Sequence, residues 1–589
     1  MRSRAELLPD DARLVLGSLD LRRPFAPSLP ARASGGVAVG WAVALLSSLV
    51  LILHLSPTAP SGEVAAEMVR LLRDGWTAGT TGPLWSALAV WFEGTGIGPG
   101  PIWRVTLLSA AATALTAGLL AVWLRQRDVG RRAAVCAGLL FAFTLPIWSE
   151  AVLPSASSLA AMLTMVGLVL VEEGRSSLRR RPRCLGWAFL GLAALQGVAA
   201  LGGVLAIIAL LLPRGRCGPI APAALSFVGG IALGALAAGG RPGLSALATP
   251  ATGGWAPPAI ADAIVELGLL AGPTGIAALV GLLILWWRHP GDAGGLTLLA
   301  TIPVGWALLV GPRGGPEEVA RELARSIPIT FIALAALAGA GIDVVLQRFA
   351  ATPTLRARLL TATAAALPLA VIGLGAPLAN RSGSTTAEEW ARSVLRGLPE
   401  DTILLTRPDP RGGLLEYTQL IGGVRPDILI ADPGGTLDPR RSPLLAIEPA
   451  TPSSAAEVRA IATESGRPLC ALAPLATTAG HWQPWGLIWR WAPLGEASAG
   501  ESEEAWSEVK LPSLPSRPAS ARGWIEEELR NPLPDRTRNE IAADYFQALA
   551  RRDGKLSQIG PWATVLDHLP RLRHGRGGIF APPSPLSRD

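Results

Sequence analysis

Six charged positions could do chemistry beside apolar sequence: Glu63, Glu67, Arg104, Glu150, Arg321 and Arg325. Glu63 and Glu67 are four residues apart, so a helix sets both carboxylates on one face. Such a pair can bind a cation or divide acid and base roles, though a surface helix also produces it without function. Ser61 just ahead offers a plainer reading of Glu63, a carboxylate in a first helical turn where negative charge suits the dipole. Arg104 opens an apolar run, where a guanidinium can clamp a phosphate or simply reach for the interface. Glu150 closes another such run. An ionisable group there is a functional candidate by default, and a loop position would leave it in water. Arg321 and Arg325 precede a further run and could face a phosphate or merely flank the span.

Other chemistries are not signalled. The cysteines (Cys136, Cys184, Cys217, Cys470) form no CxxC, and the histidines (His54, His289, His481, His568, His574) have no metal spacing. No cofactor is indicated, and a divalent cation at the two glutamates is the one such contact the spacing allows. Asp409, Asp427 and Asp432 lie near strand ends of a C-terminal domain, and turn capping accounts for them. His54 reads as an interfacial residue, and Asp343 as a span-end carboxylate that meets water.

The elements that must position these residues are mostly membrane segments. Of 589 residues, 50% are hydrophobic and only 16% charged, against about 25% in soluble domains. About 20 apolar residues at ~1.5 Å each cross a hydrocarbon core of roughly 30 Å. Apolar runs fall at 37–56, 103–124, 132–149, 157–172, 185–213, 218–240, 263–287, 295–312, 326–346 and 358–377. Gln196-Gly197 and Gly202-Gly203 interrupt the run 185–213, which reads as one span or as a hairpin. The hairpin keeps Arg214 and Arg216 inside and fits the charge rule better, giving eleven segments.

Net charge is +7, almost all from Arg, with Lys only at Lys510 and Lys555. The arginines cluster beside spans, in 1–34, 125–132 and 172–184, which sets orientation and argues against nucleic acid as a partner. The first loop, 57–102, suits the outside. Trp41, Trp85, Trp103, Trp123, Trp148, Trp255 and Trp286 fall near span ends, as interfacial anchors do. The first apolar run follows a long mixed segment and reads as a retained signal anchor.

The expected fold is therefore mainly α: a polytopic membrane helical bundle of about 10–11 segments with a C-terminal extracytoplasmic α/β domain. Residues 1–34 form a cytoplasmic N-terminal segment, 35–379 the transmembrane domain and 380–495 the α/β domain. The remainder, 496–589, is a linker, a helical segment at 521–552 and a Pro-rich tail. Strands are expected at 402–406, 427–431 and 468–472, with helices at 413–421 and 453–465, as in a small parallel sheet.

An ordered series of short motifs adds to this. It runs Ser61-Gly62-Glu63, Pro83-Leu84-Trp85, then Trp103-Arg104-Val105-Thr106-Leu107-Leu108-Ser109-Ala110. It resembles a bacterial polytopic family grouped with the protein O-mannosyltransferases, whose pattern is DSGE, HPPGYPLY and WRVNLLSA. Ile147 to Val152 is similar to that family's WSQAV, Leu398 to Leu404 to LPPNAILFT, Gly423 to Asp427 to EGVRPDV, and Gly486 to Arg490 to GLLYR. The series covers most of 37–495.

The resemblance implies a GT-C glycosyltransferase fold in the bacterial cytoplasmic membrane. It implies a polyprenyl-phosphate-linked sugar, an extracytoplasmic acceptor and membrane lipids as partners. A first-loop carboxylate, Glu63 with Glu67, would serve as general base for an acceptor hydroxyl. Arg104, Glu150, Arg321 and Arg325 would contact substrate, the arginines taking the departing lipid phosphate. The chain departs from the pattern at three places. Pro60 replaces the leading Asp, Ala78 to Pro83 lacks the His, and Leu153-Pro154-Ser155-Ala156 lacks a Glu. A catalytically silent homologue, acting as membrane scaffold or as lipid- or glycan-binding protein, is the alternative. A transporter is weaker, since the spans lack paired charges and an inverted repeat.

Overall fold

Lipid offers a backbone no hydrogen-bond partners, so an apolar run that crosses it closes its amides on itself as helix. The computed structural model describes residues 33–59, 62–74, 82–177, 179–196, 198–211, 220–237, 257–288, 290–310, 315–349, 355–382, 385–406, 410–431, 463, 465–473, 480–493 and 541. Each of the ten apolar runs is mostly helical in its described residues. The chain divides into two units, Met1–Thr58 with Arg70–Ser384, and Ala59–Val69 with Thr385–Asp589.

The first unit is helical. Its elements are α1 (Ala33–Leu53), the end of α2 (Gly62–Asp74), α3 (Pro83–Glu93), α4 (Pro101–Gln126), α5 (Arg131–Phe143), α6 (Leu145–Ala151) and α7 (Ala156–Ser176). They continue as α8 (Arg180–Ala194), α9 (Val198–Leu211), α10 (Ile220–Ala237), α11 (Pro257–Arg288), α12 (Pro290–Val310), α13 (Gly315–Phe349) and α14 (Leu355–Ala379). Among the described residues, four helices are long and apolar enough to cross a membrane: Gly35–Leu53, Pro101–Gln126, Ala156–Arg175 and Arg325–Leu346. The bent pair α5 and α6 makes up to a fifth. The chain is a multi-pass membrane protein.

Glycine and proline divide several of the apolar runs. Pro146 gives no N–H to the helical ladder and disfavours helix before it. The break falls at Thr144, which is extended (φ −62°, ψ 131°) and stands just ahead of the first turn of α6, and α5 and α6 meet at 62°. Gly272 (φ 46°, ψ −130°) breaks α11 ahead of Pro273. The run 185–213 becomes α8 and α9, divided by a turn at Leu195-Gln196. The Gln196 Oε1 accepts the backbone N–H of Trp85 in the first turn of α3 (3.2 Å).

Small residues let the helices touch. Where α1 crosses α4, a Cβ on Gly118 would stand 2.5 Å from the Gly40 carbonyl oxygen and 3.0 Å from the Ala44 Cβ. Gly118→Leu should therefore destabilise the protein by about 1–3 kcal/mol or more, the cost of overpacking. A fall in the melting temperature of detergent-solubilised protein checks this, and a wild-type value would refute the crossing.

Two expectations change here. Trp85, Trp123 and Trp148 are buried (0%, 3% and 0% exposed), so they pack the unit where interfacial anchoring was expected. Trp41 and Trp286 are exposed, as anchors would be, and Trp255 lies outside the described residues. Asp343 is buried where contact with water was expected, and a Cβ on Gly130 would stand 2.5 Å from its Oδ1.

The second unit is α/β. Its helices are α15 (Thr386–Arg396) and α16 (Pro410–Gly422). Its strands are β1 (Ile403–Leu405), β2 (Leu429–Ala431), β3 (Leu469–Ala471), β4 (Gly480–Trp485) and β5 (Ile488–Pro493). The sheet order is β2-β1-β3-β5-β4. The three expected strands form its parallel part, with Ile403 opposite both Leu429 and Leu469. The sheet is mixed where an all-parallel one was expected, because β4 and β5 add an antiparallel hairpin. Gly486, at positive φ (56°), makes its turn. Ile403, Leu405, Ala431, Leu469 and Ala471 form one apolar cluster, against which Trp482 and Trp491 pack. The linker, the tail and the helices expected at 453–465 and 521–552 lie outside the described residues, apart from Thr463, Ser465 and Ile541.

Candidate functional site

In the helical unit the site is built around Glu150. The α5–α6 bend ends the chain's climb in one short turn, and Glu150 falls in the last turn of α6. Pro154 then stops the helix, and Ser155 is the N-cap position of α7. The Ser155 hydroxyl donates to Glu150 Oε2 at 2.7 Å, and the Ser157 hydroxyl to the same oxygen at 3.2 Å. The two serine oxygens are 2.6 Å apart. A carboxylate beside the N-terminus of a helix also gains from the helix dipole.

Two more elements close round this group. Ser109 of α4 accepts the Ser155 N–H at 2.8 Å, and Thr113 one turn further on donates to Ser158 at 3.2 Å. Thr106, Ser109, Thr113 and Thr116 make a buried hydroxyl stripe down α4, as their three- and four-residue spacing dictates. From α13, the Arg325 guanidinium is close enough to act on the Glu150 carboxylate electrostatically.

Of the sequence candidates, Glu150 and Arg325 are near enough to act on each other through space. Arg104 has a different partner: its Nη2 lies 3.4 Å from Glu93 Oε1 across the α3–α4 loop. Glu67 is half-buried on α2, while the side chains of Glu63 and Arg321 lie outside the described residues. The segment holding Glu63 and Glu67 belongs to the second unit. His54 lies edge-on to Trp148 (5.0 Å), with Nδ1 2.7 Å from the Val50 carbonyl, and so serves packing. Sequence reasoning missed Glu93, Ser109, Ser155 and Ser157. The Ser155-Ala156-Ser157-Ser158 run after Pro154 carried a helix-start signal that would have found two of them. Among the described residues no group of three or more His, Cys, Asp or Glu is placed to hold a metal ion.

No family model and no curated protein matches the chain. Among solved structures it is similar to ArnT from Cupriavidus metallidurans bound to undecaprenyl phosphate. The identity is 16% and the TM-score 0.48, over 74% of this chain and 93% of that one.

In the second unit, the Gly423-Val424-Arg425-Pro426-Asp427 motif is a structural clamp. Arg425 takes positive φ (51°) and donates to the Leu398 and Pro399 carbonyls (2.7 and 2.8 Å) and to Asp427 (2.7 Å). Asp427 also accepts the Asp401 N–H at 3.1 Å. The guanidinium hydrogen bonds hold the Asp427 carboxyl down, from 3.8 to about 2. A depressed carboxyl stabilises the fold above its ordinary value, and that contribution goes as pH falls through the folded one. Protease resistance of residues 385–431 in the full chain should therefore fall between pH 3.8 and about 2. Asp427→Asn should flatten that profile, and identical profiles would refute the clamp.

Proposed function

We propose that the chain is a GT-C-like membrane glycosyltransferase that moves a sugar from a polyprenyl-phosphate carrier to an extracytoplasmic acceptor. Two things support this reading. One is the ordered motif series along 37–495. The other, which carries it, is a carboxylate held by two serine hydroxyls within electrostatic reach of a guanidinium in an apolar helical unit.

The pair suits the chemistry. The acceptor oxygen bonds to the anomeric carbon as the bond from that carbon to the phosphate oxygen breaks. The polyprenyl phosphate leaves, and the acceptor proton goes to a carboxylate. Arg325 is the group for the leaving phosphate, since a guanidinium matches its oxygens with paired N–H donors. Glu150 is the group for the proton, freed for it when Arg325 turns to phosphate. Ser109 of the α4 hydroxyl stripe holds the backbone of Ser155, one of the two serines that aim it. In this reading the protein sits in the bacterial cytoplasmic membrane with its α/β unit outside.

The test is sugar transfer from polyprenyl-phosphate donors in membranes containing the wild-type protein. Transfer supports the reading. No transfer by folded, inserted protein with any donor tried would favour the silent scaffold, which Pro60 at the place of the family's Asp also favours.

A further inference from the structure

We infer that the C-terminal α/β unit is the holder of the first loop, and that Gly413 of α16 is the seat on which α2 is set. The chain enters the second unit at Ala59 and leaves it at Val69, so the first two turns of α2 belong there. Ala65, Met68 and Val69 are buried on that stretch (0–2% exposed). Gly62 and Ala66, four residues apart on one face, meet α16 at Gly413. A Cβ on Gly413 would collide with the Ala66 Cβ and stand 2.9 Å from its Cα and 3.0 Å from the Gly62 oxygen.

The contact accounts for the glycine at position 413 of α16. Arg411-Gly412-Gly413 puts two glycines in its first turn, where each costs about 0.5–1 kcal/mol relative to Ala. Close approach of a second backbone is what a helical glycine provides in return. Glu63 and Glu67 each follow a seat residue by one position, so the seat sets the register of both positions on α2. Gly413, Ala66 and Gly62 are positioning residues for them, a role that rests on the proposed transfer only in its activity arm.

The experiment is limited proteolysis of the full-length membrane protein carrying Gly413→Leu, Gly413→Ala, or Gly413→Ala together with Ala66→Gly. Gly413→Leu should raise the rate of proteolysis within residues 59–69 at least tenfold, while Gly413→Ala gives a smaller rise. Ala66→Gly removes the Cβ that meets the new one and should bring the Gly413→Ala rate back toward wild type. In transfer assays Gly413→Leu should lower kcat more than it raises KM for the donor. Unchanged proteolysis in Gly413→Leu, or no rescue of Gly413→Ala by Ala66→Gly, overturns the seat. Raised and rescued proteolysis in a protein that transfers no sugar supports the seat and sinks the glycosyltransferase reading instead.

Discussion

Glu150→Gln should lower sugar transfer at least about a hundredfold, the lower range for loss of a general base. The amide keeps the shape of the carboxylate, and its oxygen can still accept the Ser155 and Ser157 hydroxyls that now converge on Oε2. What it loses is the charge opposite Arg325 and the capacity to take a proton. Membrane insertion and melting temperature should stay near wild type, so the loss would be chemical. Arg325→Lys keeps the charge without the paired N–H donors and should raise KM for the donor more than it lowers kcat. A wild-type rate in Glu150→Gln would remove Glu150 from the mechanism. If Glu63→Gln collapsed instead, the base would be the first-loop carboxylate.

Arg127→Met should cost about 3–5 kcal/mol of stability, the penalty for breaking a buried ion pair from one side. Its side chain is 9% exposed at the C-terminal end of α4. Nη2 lies 3.0 Å from Glu172 Oε2 on α7 and Nη1 3.2 Å from Asp292 Oδ1 on α12. The guanidinium carbon sits 5.0 Å from the centre of the Trp123 ring. Methionine fills the volume but leaves two carboxylates without their shared cation. Arg175, 3.3 Å from Glu172, covers only one of them. Arg127→Lys should fall between, since one ammonium cannot fork to two carboxylates while lying flat on an indole. Thermal unfolding in detergent reads the effect. A melting temperature for Arg127→Met equal to wild type would show that the network contributes nothing.

Arg127 shows where sequence reading stops. In the chain it is one of four arginines in a short loop, and its evident use is to orient the spans. Its partners stand 45 and 165 positions away, and no local pattern joins them. Glu150 is the intermediate case. Its place at the end of an apolar run marked it as a candidate. Its serines were readable as a helix start, but Arg325 was not readable as its partner.

The sequence by itself determined the helices of the first unit and the three parallel strands of the second. Both are short-range consequences: apolar length decides a membrane helix, and β-branched apolar runs between turns decide a strand. It also marked the Gly423–Asp427 motif, whose work as a clamp needed Leu398, Pro399 and Asp401 to be seen beside it. The tertiary structure alone decided that Trp85, Trp123 and Trp148 are core, that Arg104 pairs with Glu93, and that Ala59–Val69 groups with the α/β unit. Each depends on which surfaces meet across long sequence separations. Periodicity fixes the face a residue occupies on its own helix, and only packing fixes what that face meets.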